Sequence, residues 1–140
     1  MTNQMKIQLR QISISTTEAT IRTHQVLIDR PAEKGGADMG PMGGELFLAA
    51  VGGCFMSNLL AAIKTREAQI SNVRMDVIGT VTGSPVCFSA VELHVTADSL
   101  DRDLLERVVE IADRGCIMMN TLRGKLDVRI QVGVPVTRGE

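Results

Sequence analysis

The chain has 140 residues and a formal net charge of -1, with 44 % hydrophobic and 22 % charged residues. That length suits one domain with a real core, so residues 1–140 are read as a single domain. Interspersed charge, three Phe and no Trp or Tyr argue against a nucleic-acid surface, while eight Met and three Cys without paired spacing point to a reducing compartment, the cytoplasm.

The N-terminal residues read as strand. Ile7 and Leu9 alternate with polar residues, and Ile12 and Ile14 continue on the other parity, which predicts a bulge near Arg10 and Gln11. A turn over 16–18 leads to a short strand over 19–23. A third strand covers 24–29 and carries Val26 and Ile28; Pro31 ends it. Residues 30–44 hold Gly35-Gly36, Gly40-Pro41 and Gly43-Gly44. No Gly-Lys-Ser/Thr or GxGxxG occurs there, so a mobile loop is expected and not a phosphate cradle.

An almost continuously apolar stretch over 43–67 predicts a long helix with Cys54 near its middle. A helix apolar all round must be buried on most sides. Glu45, Ser57 and Asn58 interrupt it, and the unbroken part over 46–56 is too short to span a bilayer. No signal peptide is expected. Gly52 and Gly53 each cost roughly 1 kcal/mol in a helix, which predicts close approach of another backbone or a ligand near Cys54.

Val73, Met75 and Val77 alternate with Arg74 and Asp76 in a half-buried strand, and Gly83-Ser84-Pro85 turns the chain. The next strand carries Val86, Phe88 and Ala90, then shifts parity to Val91, Leu93 and Val95, leaving His94 toward solvent. Asp101 is a helix N-cap, with Leu100 and Leu105 as a hydrophobic staple. Leu104, Leu105, Val108, Ile111 and Ala112 form the apolar face of this helix; Arg102, Glu106, Glu110 and Asp113 face water. Arg114-Gly115 ends it. One or two helical turns follow over 116–123. The last strand has Leu126, Val128, Ile130, Val132 and Val134 on one face. This order predicts an α+β domain with antiparallel sheets and two main helices. One sheet cannot wrap the long helix, and a homodimer would cover it.

The histidines, His24 and His94, are distant from each other and from any cysteine, and no H-E-x-x-H, C-x-x-C or G-x-S-x-G occurs. Thiol chemistry remains. Cys116 stands at a helix start, where unpaired N–H groups favour thiolate. Cys54 shares a helix face with Ser57 and Asn58, which form a polar notch. Both cysteines also fit as small buried hydrophobes. Cys87 lies on the opposite strand face from Val86 and Phe88 and is the weakest candidate.

Gly40-Pro41, Glu45-Leu46-Phe47-Leu48-Ala49-Ala50-Val51-Gly52-Gly53-Cys54 and Arg114-Gly115-Cys116 ahead of a terminal strand resemble the OsmC/Ohr family. Asp29-Arg30-Pro31 followed by Gly35-Gly36 is similar to that family's lead-in to the helix. The resemblance implies an intertwined α+β homodimer with a long central helix and active sites at the subunit interface. It further implies a cofactor-free, thiol-dependent peroxidase acting on organic or hydrogen peroxide. By the same carry-over Cys54 would be peroxidatic and Cys116 resolving, with a dithiol reductant such as a lipoyl group or a small thiol. No metal, nucleic-acid or membrane partner is implied. Three features depart from the hydroperoxide-reductase branch and place the chain nearer the general OsmC-like branch. Ile117 follows Cys116 where Pro is common. Gly44 stands ten residues before Cys54 where that branch has a glutamate, and Glu45, one later, would point about opposite to Cys54 on a helix. Its arginine could correspond to Arg10, Arg22 or Arg30. A non-peroxidatic binding protein on the same scaffold is the alternative, and a structural dimer with two buried thiols is the third reading.

Overall fold

A computed structural model describes residues 2–133; Val134, expected in the last strand, lies outside the described residues. In chain order the elements are β1 (Gln8–Gln11), β2 (Thr17–Ile21), β3 (His24–Ile28), a 3-10 turn (Ala32–Lys34), α1 (Gly43–Thr65), β4 (Ile70–Thr82), β5 (Cys87–Ser99), α2 (Arg102–Gly115), α3 (Ile117–Leu122) and β6 (Asp127–Val132). The architecture is α+β, with two three-stranded sheets, β1-β2-β3 and β4-β5-β6. The chain forms two compact units, Met1–Phe47 and Leu48–Glu140.

In the first unit β1, β2 and β3 form an antiparallel meander, with Leu9, Ala19 and Val26 in register and Ala19 buried. The parity change after Leu9 is not a bulge. β1 ends at Gln11, and the N–H groups of Ile12 and Ser13 both donate to the Thr16 carbonyl, closing a turn. β2 ends at Ile21 because Arg22, with φ of 54°, is already turning.

The segment expected to be a mobile loop is built around a buried carboxylate. Asp29 Oδ2 accepts from Thr16 Oγ1 at 2.9 Å and from the N–H groups of Ala37 and Met39, each at 3.2 Å. Its Oδ1 accepts from the Arg30 N–H at 2.7 Å. Burial alone would raise the Asp29 pKa; the bonds from Arg30, Thr16, Met39 and Ser15 outweigh it and hold the group at about 2. A Cβ on Gly36 would fall 1.9 Å from the Arg30 carbonyl oxygen, and one on Gly40 would fall 2.1 Å from that of Leu27. These two glycines let the loop close on its own backbone.

In the second unit β5 is the central strand. β4 pairs with it antiparallel across the 83–86 turn, as expected. β6 pairs with it in parallel, so this sheet is mixed and not wholly antiparallel. The connection explains the difference. β5 and β6 are joined through α2 and α3, long enough for the crossover that parallel neighbours need, whereas a tight turn permits only an antiparallel neighbour. The parity shift in β5 is a bulge: Thr80 pairs with Ala90 and Val81 with Phe88, leaving Ser89 over. Beyond it Val91, Leu93, Val95 and Ala97 are all fully buried. The other face carries half-buried His94, whose Nε2 lies 3.1 Å from Glu92 Oε2.

Asp101 caps α2 as expected, its Oδ1 accepting from the Leu104 N–H at 3.0 Å. The staple does not form, because Leu100 is fully exposed. Leu105, Val108, Val109 and Ala112 face the core. α1 stops at Thr65, two residues earlier than expected: Glu67 turns left-handed at φ of 49° and the Ala68 N–H returns to the Ile63 carbonyl.

α1 buries Val51, Gly52, Phe55, Leu59 and Ala62. Ala49, Ala50, Gly53, Ser57, Leu60, Ala61 and Lys64 form an exposed stripe on its other side. By length and composition α1 could cross a membrane, a test that the core helix of a soluble protein also passes. Among the described residues, 28 % of its most apolar 18-residue window is buried.

Candidate functional site

Cys54 and Cys116 come together in the second unit, although 62 positions separate them in sequence. Cys54 is carried by α1, which packs so tightly on β4 that a Cβ on Gly52 would fall 2.5 Å from Val77 Cγ2. Close approach therefore accounts for the first glycine before Cys54. Among the described residues nothing lies within 4 Å of the Gly53 Cβ position, and Gly53 belongs to the exposed stripe.

Cys116 sits at the junction of α2 and α3. Its extended backbone, φ of -84° and ψ of 116°, breaks the helix and makes it the N-cap residue of α3. Side-chain bonds fasten that junction. Asn120 Nδ2 donates to the Arg114 carbonyl at 3.0 Å, and Arg123 donates to Asn120 Oδ1 at 2.7 Å and to Asp113 Oδ1 at 2.5 Å. The break turns the Cys116 side chain inward, where it is fully buried.

The two sulfurs are 3.3 Å apart, with the Cys116 thiol donating to Cys54 Sγ. An S–S bond is about 2.05 Å, so a disulfide needs the sulfurs to close by only about 1.3 Å. Cys54 is half-buried, and Cys87 is exposed at the start of β5, outside the pair. The environment of Cys116 differs from the exposed, thiolate-favouring helix start expected for it. Burial pushes its thiol pKa up; N–H groups of Met119 and Met118 pull it down, while the hydrogen bond to Cys54 pushes it further up. Burial wins because the helix start lies inside the core.

The other candidates have local roles in the first unit. Glu45 Oε1 accepts from the Met42 N–H at 2.8 Å, while the Leu46 N–H donates to the Met42 carbonyl at 3.0 Å. Glu45 is thus the carboxylate half of a capping box at the start of α1. Arg10 pairs with Glu18 at 3.2 Å, Arg22 occupies the β2–β3 turn, and Arg30 gives its N–H to Asp29. Asp29 itself was expected only as part of a lead-in motif. The one sequence signal for its hub role is an acid directly before Arg-Pro and a glycine-rich run. Among the described residues no group of three or more His, Cys, Asp or Glu could hold a metal ion.

The model of the family described as "OsmC-like protein" matches residues 35–131, which include both cysteines. The chain belongs to the OsmC-like protein family. No curated protein matches the sequence. Solved OsmC-fold structures align over nearly its whole length. An OsmC-like protein from Mycoplasma pneumoniae is 18 % identical, with 97 % of this chain and 100 % of that chain covered and a TM-score of 0.83. An organic hydroperoxide resistance protein OsmC from Legionella pneumophila is 22 % identical, with 94 % and 98 % covered and a TM-score of 0.74. The organic hydroperoxide resistance protein OhrB of Bacillus subtilis is 20 % identical, with 94 % and 98 % covered and a TM-score of 0.70. At these identities the likeness extends to the fold.

Proposed function

We propose that this OsmC-like protein is a cytoplasmic, cofactor-free thiol peroxidase that reduces organic hydroperoxides or hydrogen peroxide through Cys54 and Cys116, residues 1–140 acting as one domain. The carrying observation is the 3.3 Å sulfur pair with unequal access: Cys54 half-buried, Cys116 fully buried and donating its S–H to Cys54. The half-open thiol meets the peroxide, and the enclosed thiol is already within reach of the product. The Cys54 thiolate attacks one peroxide oxygen; an S–O bond forms, the O–O bond breaks, and the departing alkoxide or hydroxide takes a proton from water. Cys116 then attacks the sulfenic sulfur; an S–S bond forms and the oxygen leaves as water with the Cys116 proton. A dithiol such as a reduced lipoyl group, or two equivalents of a small thiol, exchanges with the Cys54–Cys116 disulfide, returning both thiols and becoming a disulfide itself. The names of the Legionella and Bacillus proteins agree with this reading.

The working form is a homodimer. Its basis is the exposed stripe Ala49, Ala50, Gly53, Ser57, Leu60 and Ala61 on α1, whose small residues permit another helix to come close.

Stoichiometric tert-butyl hydroperoxide followed by non-reducing peptide mapping tests the proposal. A Cys54–Cys116 link with Cys87 free is expected. Cys54→Ser should abolish peroxide consumption. Cys116→Ser should add one oxygen to Cys54, trappable with a dimedone-type reagent. Oxidation of Cys116 first, or a link through Cys87, would reject the role assignment. No reaction faster than free cysteine, together with a ligand-induced rise in melting temperature, would instead indicate a binding protein.

A further inference from the structure

Asn58 lies one helical turn beyond Cys54, on the same face of α1. Among the described residues its Nδ2 is the one atom, apart from chain neighbours and local helix backbone, within 4 Å of where a Gly115 Cβ would sit, at 4.0 Å. Gly115 directly precedes Cys116, whose sulfur is 3.3 Å from that of Cys54. The carboxamide therefore lies one helical turn from Cys54 and against the residue joining α2 to Cys116. It is half-buried and makes no hydrogen bond among the described residues. A donor one helical turn from a nucleophilic sulfur, in a mostly apolar helix and without a side-chain partner among the described residues, suits an oxygen that arrives and leaves. Ser57, the other polar residue of the notch, is exposed on the outer stripe and does not share this position.

Resting on the peroxidase reading, we infer that Asn58 contacts the substrate: its carboxamide N–H donates to the peroxide oxygen transferred to Cys54 and keeps that bond in the sulfenic acid. As the O–O bond breaks, electron density builds on both oxygens, and a fixed donor at the transferred one lowers the barrier. The same contact orients the peroxide so that this oxygen meets sulfur. Attack at sulfur by an electrophile with no oxygen at that position gains nothing from it.

The test compares two reactions of Cys54 in full-length protein, with Asn58→Leu and Asn58→Ala as variants. Leu keeps approximate shape without a donor; Ala removes the carboxamide and, if Leu does not fold, carries the measurement. Oxidation by tert-butyl hydroperoxide is followed by quenched flow and mass spectrometry. Alkylation by iodoacetamide is followed across pH. The expected result is oxidation slowed about 10- to 100-fold, the worth of one hydrogen bond to a charged oxygen, with the rate and pH profile of alkylation unchanged. Oxidation at the wild-type rate in both variants would overturn this inference alone. Equal slowing of both reactions would also overturn it, because Asn58 would then act on the thiolate or on packing. Wild-type protein that leaves peroxide untouched would remove the peroxidase reading and this inference with it.

Discussion

The packing of α1 on β4 makes a quantitative prediction at Gly52. A Cβ there would lie 2.5 Å from Val77 Cγ2 and 3.5 Å from Met75 Sδ. Carbon atoms rest about 3.5–4.0 Å apart, so Gly52→Ala requires α1 and Val77 to separate by about 1 Å. Val77 cannot easily turn aside, because a β-branched side chain in a strand is stiff at χ1. Overpacking of this kind costs about 1–3 kcal/mol, and the gain in helix propensity from Gly to Ala returns about 0.5–1 kcal/mol. Net destabilisation of about 0–2.5 kcal/mol is expected. Far-UV circular dichroism in urea at fixed protein concentration measures it. The sharper observable is the double-mutant cycle with Val77→Ala, which removes Cγ2. In that background Gly52→Ala should stabilise by about 0.5–1 kcal/mol, giving a coupling of about 1–3 kcal/mol. If Gly52→Ala stabilises equally in both backgrounds, α1 does not press on β4 at this point and the packing argument is wrong.

Three other outcomes follow from the same geometry. Ala50→Asp and Ala61→Asp lie on the exposed stripe, so each should leave the subunit folded or nearly so and break the dimer, a buried unpaired charge being strongly disfavoured; a wild-type monomer in sedimentation would refute the dimer. Gly53→Ala meets no atom within 4 Å among the described residues, so a monomer should gain up to about 1 kcal/mol, whereas a loss tied to weaker association would place a partner helix over Gly53. Asp29 has its pKa lowered from 3.8 to about 2, so its stabilisation is fully present above pH 3.8 and fades as pH falls through about 2. Melting temperatures of wild type and Asp29→Asn should accordingly differ by a constant amount above pH 3.8 and converge near pH 2; a gap that persists there would show that Asp29 does not act through its charge.

Elements with a regular pattern were legible. The alternation of Met75 and Val77, and of Val91, Leu93 and Val95, gave the strands and the parity shift that the structure resolves as a bulge at Ser89, because one face of that sheet is buried and parity is enforced. The Asp101 cap was legible because capping is local. At the N-terminus the parity signal misled: Ile14 is 97 % exposed, so its position reflects no buried face. The parallel pairing of β6 was hidden because an alternating strand shows the same pattern for either neighbour direction. The Asp29 hub was hidden too, since its donors come from Thr16, Ala37 and Met39, which only tertiary structure gathers.

Cys54 and Cys116 stood out in the sequence and lie 3.3 Å apart in the structure, but the environment of Cys116 was misread. Residues around Cys116 announce a helix start, and a helix start favours thiolate only where its N–H groups outweigh the loss of water. Here α2 and α3 fold that start into the core, and burial holds the proton on Cys116. The reversal serves the proposed cycle. Cys116 keeps its proton and directs it at Cys54 Sγ before the peroxide arrives. Once Cys54 is sulfenic acid the same proton is needed again, to leave with the departing oxygen as water. In that proposed cycle an enclosed thiol at 3.3 Å would also compete well with a second peroxide molecule for the sulfenic acid, because the peroxide must diffuse in while Cys116 is already in place.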